Sequence, residues 1–204
     1  MLRIAGTLAI LAIFAFIIGA TAESKPQIAP SDVKIVGFGH GSGVHIGNGY
    51  IITAAHVVTK VGDYVVKDRN FQEYPAEVLW KNHVYDVALL RVKDARLRAS
   101  YLNCAVPFQG QEIMATGNPF DLTFIETHGY VASGVKELPN WREALIADLT
   151  LGPGMSGGPV FNEHHEVVGI NVGVRLHRMG LSASPTGFAV IVPASTVCKL
   201  MARA

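Results

Sequence analysis

Gly152-Pro153-Gly154-Met155-Ser156-Gly157-Gly158-Pro159 is the stretch that decides the fold of this 204-residue chain. A serine hydroxyl is a weak nucleophile, and it needs an adjacent base and hydrogen-bond donors for the oxyanion that it creates. Glycines let the backbone turn sharply and point N–H groups at one spot, so the predicted donors are the amides of Gly154 and Ser156. Alone, the pattern also fits an ordinary glycine-rich turn. The rest of the chain must therefore supply the base.

A histidine and an aspartate stand where such a base would be expected. His56 follows the apolar run Ile51-Ile52 and the small residues Thr53-Ala54-Ala55, which leave room for a substrate and a serine. Asp86 directly precedes the apolar run Val87-Ala88-Leu89-Leu90. A buried carboxylate at this position is costly unless it is paired. Pairing with His56 would satisfy it and fix the tautomer that can accept the Ser156 proton. We predict His56, Asp86 and Ser156 as the catalytic set.

The order of these three residues along the chain discriminates between folds. His56, Asp86, Ser156 is the trypsin-type order, whereas an α/β-hydrolase runs nucleophile, acid, histidine. No aspartate follows Ser156. Short β-type runs separated by turn residues, with almost no helical periodicity, indicate an all-β protein built from barrels. The predicted strands are 33–38, 49–52, 64–66, 76–80 and 87–92, then 111–115, 124–131, 144–147, 160–161, 166–174 and 187–191.

The predicted division of the chain has six parts. An apolar N-terminal segment (1–22) and a linker (23–32) precede an N-terminal barrel (33–103), an inter-barrel linker (104–110), a C-terminal barrel (111–192) and a C-terminal helix (193–204). In that helix, Ser195 is the predicted N-cap, and Val197, Leu200 and Met201 fall on one face.

The N-terminal segment directs the folded part out of the cytoplasm. Residues 4–22 carry no charge, and their length lies between that of a signal-peptide core and that of a spanning helix. Ala20-Thr21-Ala22 favours cleavage by a signal peptidase, and retention as a membrane anchor is the alternative. Arg3 would stay inside in either case, so the protein is expected to be exported, periplasmic or secreted, or anchored by this segment.

Composition limits the partners and cofactors. A net charge of +1 without a long basic run gives no basis for binding nucleic acid. No histidine stands in a metal-ligand spacing, so no metal and no cofactor are expected. Two cysteines, Cys104 and Cys198, either form a disulfide or remain separate buried thiols, and the sequence leaves both readings open.

The chain resembles the trypsin-like serine proteases, nearest the HtrA (Deg) branch. The matching stretches are Gly41-Ser42-Gly43, Gly49-Tyr50-Ile51-Ile52-Thr53-Ala54-Ala55-His56, Asp86-Val87-Ala88-Leu89-Leu90, Gly117-Asn118-Pro119-Phe120, Thr127-His128-Gly129-Tyr130-Val131, Asp148, residues 153–159, Gly169-Ile170-Asn171 and Gly187-Phe188-Ala189. The resemblance implies two six-stranded antiparallel β-barrels of the chymotrypsin type, with the catalytic residues in the cleft between them. It implies a serine endopeptidase that acts on polypeptides.

Two departures from the family pattern are informative. Met155 stands where digestive relatives have an aspartate that binds a newly cut N-terminus and where HtrA enzymes usually have asparagine, so activation by N-terminal insertion is not expected. The chain ends just past the closing helix, and the PDZ domains common in HtrA proteins are expected to be absent. Whether it forms a homo-oligomer, as trimeric HtrA relatives do, is left open.

The resemblance also assigns residues to a substrate pocket, and none of these residues carries a charge. Such a pocket should select small or medium apolar residues before the scissile bond, because it can pair neither basic nor acidic side chains. Relatives that cleave after Glu or Gln have histidine in place of Asn171. The alternative function, favoured only by Met155, is a catalytically inactive binding protein with the protease fold. The predicted substrate-binding residues are Thr150, Val172, Gly173, Val174, Gly187, Phe188 and Ala189.

Overall fold

The computed structural model describes residues 31–203, except residues 61, 94, 95 and 181. The predicted signal peptide or anchor (1–22) and most of the predicted linker lie outside these residues. Within the part of the chain that is described, no helix combines the length and apolar character needed to cross a membrane.

Six antiparallel strands close the first barrel. They pair in the order β1-β2-β3-β6-β5-β4, and a single-turn 3₁₀ helix, Ala55–Val58, follows β3. The strands are β1 (Asp32–Val36), β2 (His40–His45), β3 (Tyr50–Thr53), β4 (Tyr64–Lys67), β5 (Glu73–Asn82) and β6 (Val87–Val92).

The second barrel also has six strands, with one short strand added outside. The order is β13-β12-β11-β7-β8-β10, and pairing of β10 with β13 closes the ring, while β9 pairs with β10. The strands are β7 (Glu112–Gly117), β8 (Ile125–Val131), β9 (Lys136–Leu138), β10 (Trp141–Asp148), β11 (Pro159–Phe161), β12 (Val167–Met179) and β13 (Ser182–Pro193). The prediction of two six-stranded antiparallel barrels is confirmed.

Three apolar clusters hold this architecture together. One fills the first barrel around Ile35, Ile51 and Leu90, and another fills the second barrel around Ile113 and Leu145. The third joins residues of both barrels, among them Ile52, Leu89, Phe161 and Ile170. Side chains alternate along a strand, so Ile51 points into the first barrel while its neighbour Ile52 packs in the cluster shared by both barrels. Each fully buried side chain of this size contributes about 1.5–3 kcal/mol.

The chain closes with helix α1 (Ala194–Met201). Val197 is fully buried, and Leu200 and Met201 pack on the cluster shared by both barrels, which confirms the predicted apolar face. The prediction of Ser195 as N-cap is wrong. Pro193 is the N-cap residue and makes no side-chain capping bond, so Ser195 falls within the first turn.

Strand β2 was missing from the sequence prediction because of its composition. It contains Gly41, Ser42 and Gly43, which have little intrinsic preference for strands. The glycines are required by close packing rather than by a turn: a Cβ on Gly43 would lie 2.9 Å from side-chain atoms of Ile35 and Ile51.

Candidate active site

His56 and Asp86 are joined by two hydrogen bonds. The His56 Nδ1–H donates to Asp86 Oδ2 at 2.8 Å, and the backbone N–H of His56 donates to Asp86 Oδ1 at 3.0 Å. A carboxylate only accepts, so the proton of a neutral His56 ring resides on Nδ1 and leaves Nε2 as an acceptor. The His56 side chain is 45% exposed and that of Asp86 is 11% exposed. The imidazole therefore faces the cleft while the carboxylate supports it from within.

Local structure places both residues. His56 lies in the 3₁₀ helix that follows β3, and Asp86 ends the turn before β6. Asp86 has a φ of 58°, a left-handed conformation that aspartate adopts more readily than most residues. Strands β3 and β6 are hydrogen-bonded neighbours, so the two turns meet at the same edge of the first barrel.

Trp141 also binds Asp86, although no sequence motif marks this tryptophan. Its indole Nε1–H donates to Asp86 Oδ2 at 3.1 Å from the start of β10 in the second barrel. The same ring lies against Gly173, where a Cβ would come within 3.1 Å of it. The carboxylate is thus held from both barrels.

Ser156 lies against the first barrel at the junction of the two barrels. Its carbonyl oxygen accepts from the backbone N–H of Ser42 at 2.8 Å. A Cβ on Gly41 would lie 2.7 Å from the side chain of Val57, the neighbour of His56, and 3.2 Å from the Ser156 carbonyl oxygen. Gly41 therefore lies between the histidine and serine segments, which approach each other so closely that only a glycine fits there.

Gly157 permits this close approach. Its φ is 83°, and a Cβ there would collide with Thr53 Oγ1 and the Ser42 carbonyl oxygen. Its backbone N–H donates to the Asn171 carbonyl oxygen at 2.7 Å. Any larger residue would push the serine segment away from the first barrel.

The carbonyl groups of the oxyanion loop, defined as residues 153–156, are all held by hydrogen bonds. Pro153 O accepts from Phe120 N at 2.9 Å, Gly154 O from Ser42 Oγ at 2.8 Å, and Met155 O from Gly158 N at 3.0 Å. Within the described residues, no protein acceptor takes the N–H of Gly154 or Ser156. These are the two amides predicted from the sequence as oxyanion donors.

A cavity of about 210 Å³ opens beside Ser156. Only Gly173 and Val174 of the predicted substrate-binding residues line it. Val172 and Ala189 are buried in the apolar clusters, because alternation along their strands turns these side chains inward. Substrate binding by Val172 and Ala189 stays a prediction, and Thr150, Gly187 and Phe188 lie outside the lining of this cavity. The lining residues are Leu151, Gly152, Pro153, Met155, Ser156, Asn171, Gly173 and Val174.

Asn171 is, with Ser156, one of the two residues with a polar side chain in this lining. The residue is fully buried, and among the described residues neither its side-chain oxygen nor its side-chain nitrogen has a hydrogen-bond partner. Leaving a buried amide unpaired costs about 1–3 kcal/mol.

Cys104 and Cys198 form a disulfide, with a Cα–Cα distance of 5.9 Å. The bridge ties the connection between the barrels to helix α1 and lies apart from the cavity lining.

Known proteins include relatives of this chain in sequence and in structure. The family model for the trypsin-like peptidase domain matches residues 41–170. A "Probable periplasmic serine endoprotease DegP-like" of Pseudomonas putida strain W619 is 35% identical over 135 residues, covering 64% of this chain and 28% of the relative. The protein of the same name from Hahella chejuensis is 33% identical over 127 residues, covering 61% and 27%. The chain thus spans less than a third of the length of these curated relatives.

A solved structure has the same fold. An HtrA-type protease with a decapeptide superposes with a TM-score of 0.73 and 20% sequence identity, covering 85% of this chain and 63% of that one.

Proposed function

This chain belongs to the family of trypsin-like peptidase domains, and from that premise we propose that it is a serine endopeptidase acting through an acyl-enzyme. The observation that carries the proposal is the 2.8 Å bond between His56 and Asp86 at the same barrel junction as the Ser156 loop. A histidine oriented by a carboxylate, on a segment that adjoins the Ser156 segment, together with free amides in the serine loop, supports serine catalysis.

In the proposed mechanism, His56 acts first as a base and then as an acid. Its Nε2 takes the proton of the Ser156 hydroxyl as Oγ attacks the substrate carbonyl carbon. Asp86 stays ionised and stabilises the imidazolium that forms. The same proton then passes to the leaving amine, and the C–N bond breaks. Water deprotonated by His56 attacks the remaining ester, and its hydrolysis restores Ser156.

The oxyanion is stabilised by the N–H groups of Gly154 and Ser156. Charge develops on the carbonyl oxygen only in the tetrahedral intermediate, so donors already aimed at that position stabilise the transition state more than the substrate. Two observations support this assignment. Neither amide has a protein acceptor among the described residues, and the carbonyl groups of the same loop accept hydrogen bonds from other residues.

The substrate residue before the scissile bond is proposed to be small or medium and apolar. The cavity beside Ser156 measures about 210 Å³, and its lining carries no charged side chain. A charged residue entering it would lose hydration without gaining a partner.

The substrate backbone is proposed to bind as an added strand. Strand β11 pairs with β12 only as far as Ile170, while β12 continues to Met179 paired with β13 on its other side. Among the described strands, none covers this edge from Gly173 onward. An extended peptide can pair there and carry its scissile bond to Ser156.

The proposed location is outside the cytoplasm, either periplasmic or secreted. The relatives named above are called periplasmic, and a disulfide persists in an oxidising compartment. Mass spectrometry of the mature N-terminus would decide between a cleaved signal peptide and a retained anchor. Light scattering would determine whether the chain is a homo-oligomer.

Fluorophosphonate labelling tests the proposed activity against the alternative of an inactive binding protein. We expect the probe to modify Ser156 and to leave a Ser156→Ala variant unmodified. Hydrolysis of an apolar reporter peptide should fall by about 10⁴-fold or more in that variant. Equal hydrolysis by both proteins would refute the assignment of the nucleophile, and an unlabelled, inactive parent chain would favour the binding protein.

A further inference from the structure

We propose that Ser42 and Asn118 are positioning residues that hold the oxyanion loop in its competent shape. The inference rests on the proposed function and extends it. Both residues are fully buried, and they come from different barrels: Ser42 lies in β2, and Asn118 follows β7. Neither residue has a role that its sequence context predicts.

The Ser42 hydroxyl uses its complete hydrogen-bonding capacity at this site. It donates to Gly154 O at 2.8 Å and accepts from Asn118 N at 2.9 Å and Asn118 Nδ2 at 3.0 Å. A hydroxyl has one proton and two lone pairs, so no capacity remains. Because the two amide donors of Asn118 point at Ser42 Oγ, the hydroxyl proton is directed to Gly154. The geometry thus fixes the direction of the bond as well as its existence.

Ser42 holds the oxyanion loop at two points. Its side chain binds the carbonyl of Gly154, and its backbone N–H binds the carbonyl of Ser156 at 2.8 Å. A peptide unit is planar and trans, so fixing its carbonyl also fixes the N–H on the opposite side. The plane between Gly154 and Met155 is fixed at both ends, because Met155 N donates to Gly152 O at 3.0 Å.

The loop needs such support because Gly154 has no side chain to limit its rotation. Its φ is 100°, and a Cβ there would collide with the Asn118 carbonyl oxygen and lie 2.5 Å from His40 Nε2. Glycine is required by this packing, and glycine also populates other conformations at little cost. Rotation of the plane between Pro153 and Gly154 would put a carbonyl oxygen where the oxyanion donor now points.

Asn118 restrains the peptide plane between Pro153 and Gly154 indirectly. Its Oδ1 accepts from Phe124 N at 3.2 Å, and its Nδ2 lies 3.4 Å from Val33 O in β1. These bonds anchor the segment that contains Phe120, whose N–H binds Pro153 O at 2.9 Å. The network therefore orients the peptide planes on both sides of Gly154.

Met155 explains why the network is important in this chain. The residue is 2% exposed and packs against Gly117, with its Cα 2.9 Å from the position of a Cβ on that glycine. A thioether makes no strong hydrogen bond and carries no charge, so this side chain cannot orient the loop through an ion pair. Directional control has to come from neighbouring polar groups, and Ser42 and Asn118 provide it.

The test compares Ser42→Ala with Ser31→Ala. Ser31 directly precedes β1 and is also buried, and its hydroxyl pairs with Ser100 Oγ, not with the loop. For each variant, kcat and KM are measured on an apolar peptide. Affinity is then measured for a peptide aldehyde, whose adduct with Ser156 carries an oxyanion, and for the uncleaved peptide in a Ser156→Ala background.

We expect Ser42→Ala to lower kcat and aldehyde affinity together by about 10²-fold, with KM changed by less than about threefold. Peptide binding in the Ser156→Ala background should not change, because that complex has no oxyanion. Ser31→Ala should keep the parent kcat. If Ser42→Ala does not fold, Ser42→Cys carries the test, since its thiol fills the same space but is a weak donor.

A kcat within about threefold of the parent in the folded variant would overturn the positioning role. So would an equal loss of peptide binding in the Ser156→Ala background, which would indicate general damage to the cleft. An inactive, unlabelled parent chain would instead overturn the proposed function, and the two failures are therefore distinguishable.

Discussion

The indole Nε1–H of Trp141 donates to Asp86 Oδ2 at 3.1 Å, across the junction of the two barrels. The same oxygen accepts from His56 Nδ1, so one carboxylate is shared by a residue of each barrel. Asp86 is 8% exposed, and a carboxylate at that depth needs donors on its lone pairs. Trp141 thereby couples the packing of the second barrel to the orientation of His56.

Replacing Trp141 with phenylalanine should lower kcat by about tenfold, the value of one hydrogen bond to a charged group. Steady-state kinetics on an apolar peptide measure this effect. Trp80→Phe is the matched control, because the Nε1 of Trp80 is buried and has no partner in the described part of the chain. Equal effects of the two variants would show that bulk, not the hydrogen bond, is what Trp141 contributes.

Asp86→Asn should lower kcat by about 10⁴-fold, because an amide in this place favours the wrong tautomer of His56. The variant should still bind peptide, since the cavity beside Ser156 is untouched. Asp63→Asn, at an exposed position of the first barrel, serves as the control. A loss of less than about tenfold would contradict the role assigned to Asp86.

Val174→Phe should narrow the cavity beside Ser156. We expect kcat/KM for a peptide with leucine before the scissile bond to fall by about tenfold or more, while a peptide with alanine there is cleaved nearly as well as by the parent. Val135→Phe, at an exposed position, adds the same bulk elsewhere. An unchanged ratio of the two substrates would exclude Val174 from the substrate pocket.

Removal of the disulfide by the double substitution Cys104→Ser and Cys198→Ser should destabilise the fold by about 2–4 kcal/mol, since the bridge joins residues 94 positions apart. Chemical denaturation measures the loss. Activity below the unfolding transition should be retained, because the bridge lies apart from the cleft. An unchanged midpoint would show that the bridge does not restrain the unfolded chain.

Glu143 links β10 to helix α1 and should make that contact sensitive to acid. The hydrogen bond from Thr196, together with Lys199, lowers the pKa of Glu143 from its ordinary 4.5, although burial acts the other way. A carboxyl with a lowered folded-state pKa contributes stability above about pH 4.5, and that contribution is lost as pH falls through the folded-state pKa. Glu143→Gln should therefore reduce the difference in stability between pH 6 and pH 3.

Thermal denaturation of the parent, Glu143→Gln and Glu137→Gln across this pH range checks the last prediction. Glu137 is an exposed glutamate of the short strand β9 and serves as the control. If Glu143→Gln keeps the pH dependence of the parent, the contact between Glu143 and the helix does not contribute to acid sensitivity.

The sequence was informative where the physical signal is local. Runs such as Val87-Ala88-Leu89-Leu90 have the continuous apolar character of buried strands, and the structure has β6 there. The apolar face of the last helix was visible for the same reason. Strand β2 was not predicted because glycine and serine have little strand preference. The reason for a glycine at position 43 is its close packing against Ile35 and Ile51, which only the structure shows.

The sequence was uninformative where a contact joins distant residues. Trp141 and Asp86 are 55 positions apart, and Ser42 and Gly154 are 112 apart. Nothing in a linear pattern marks such pairs, because they exist only after both barrels close. The side-chain directions of Val172 and Ala189 were likewise set by strand register, which places them in the core.

The sequence by itself determined the protease family and the all-β architecture, because the spacing of small, apolar and reactive residues is a property of the chain. It also determined which serine, histidine and aspartate are proposed as catalytic. The tertiary structure alone decided how these residues are supported: a carboxylate shared by His56 and Trp141, and an oxyanion loop held by Ser42 and Asn118. Those bonds cross the barrel junction, and their geometry depends on the packing of both barrels together.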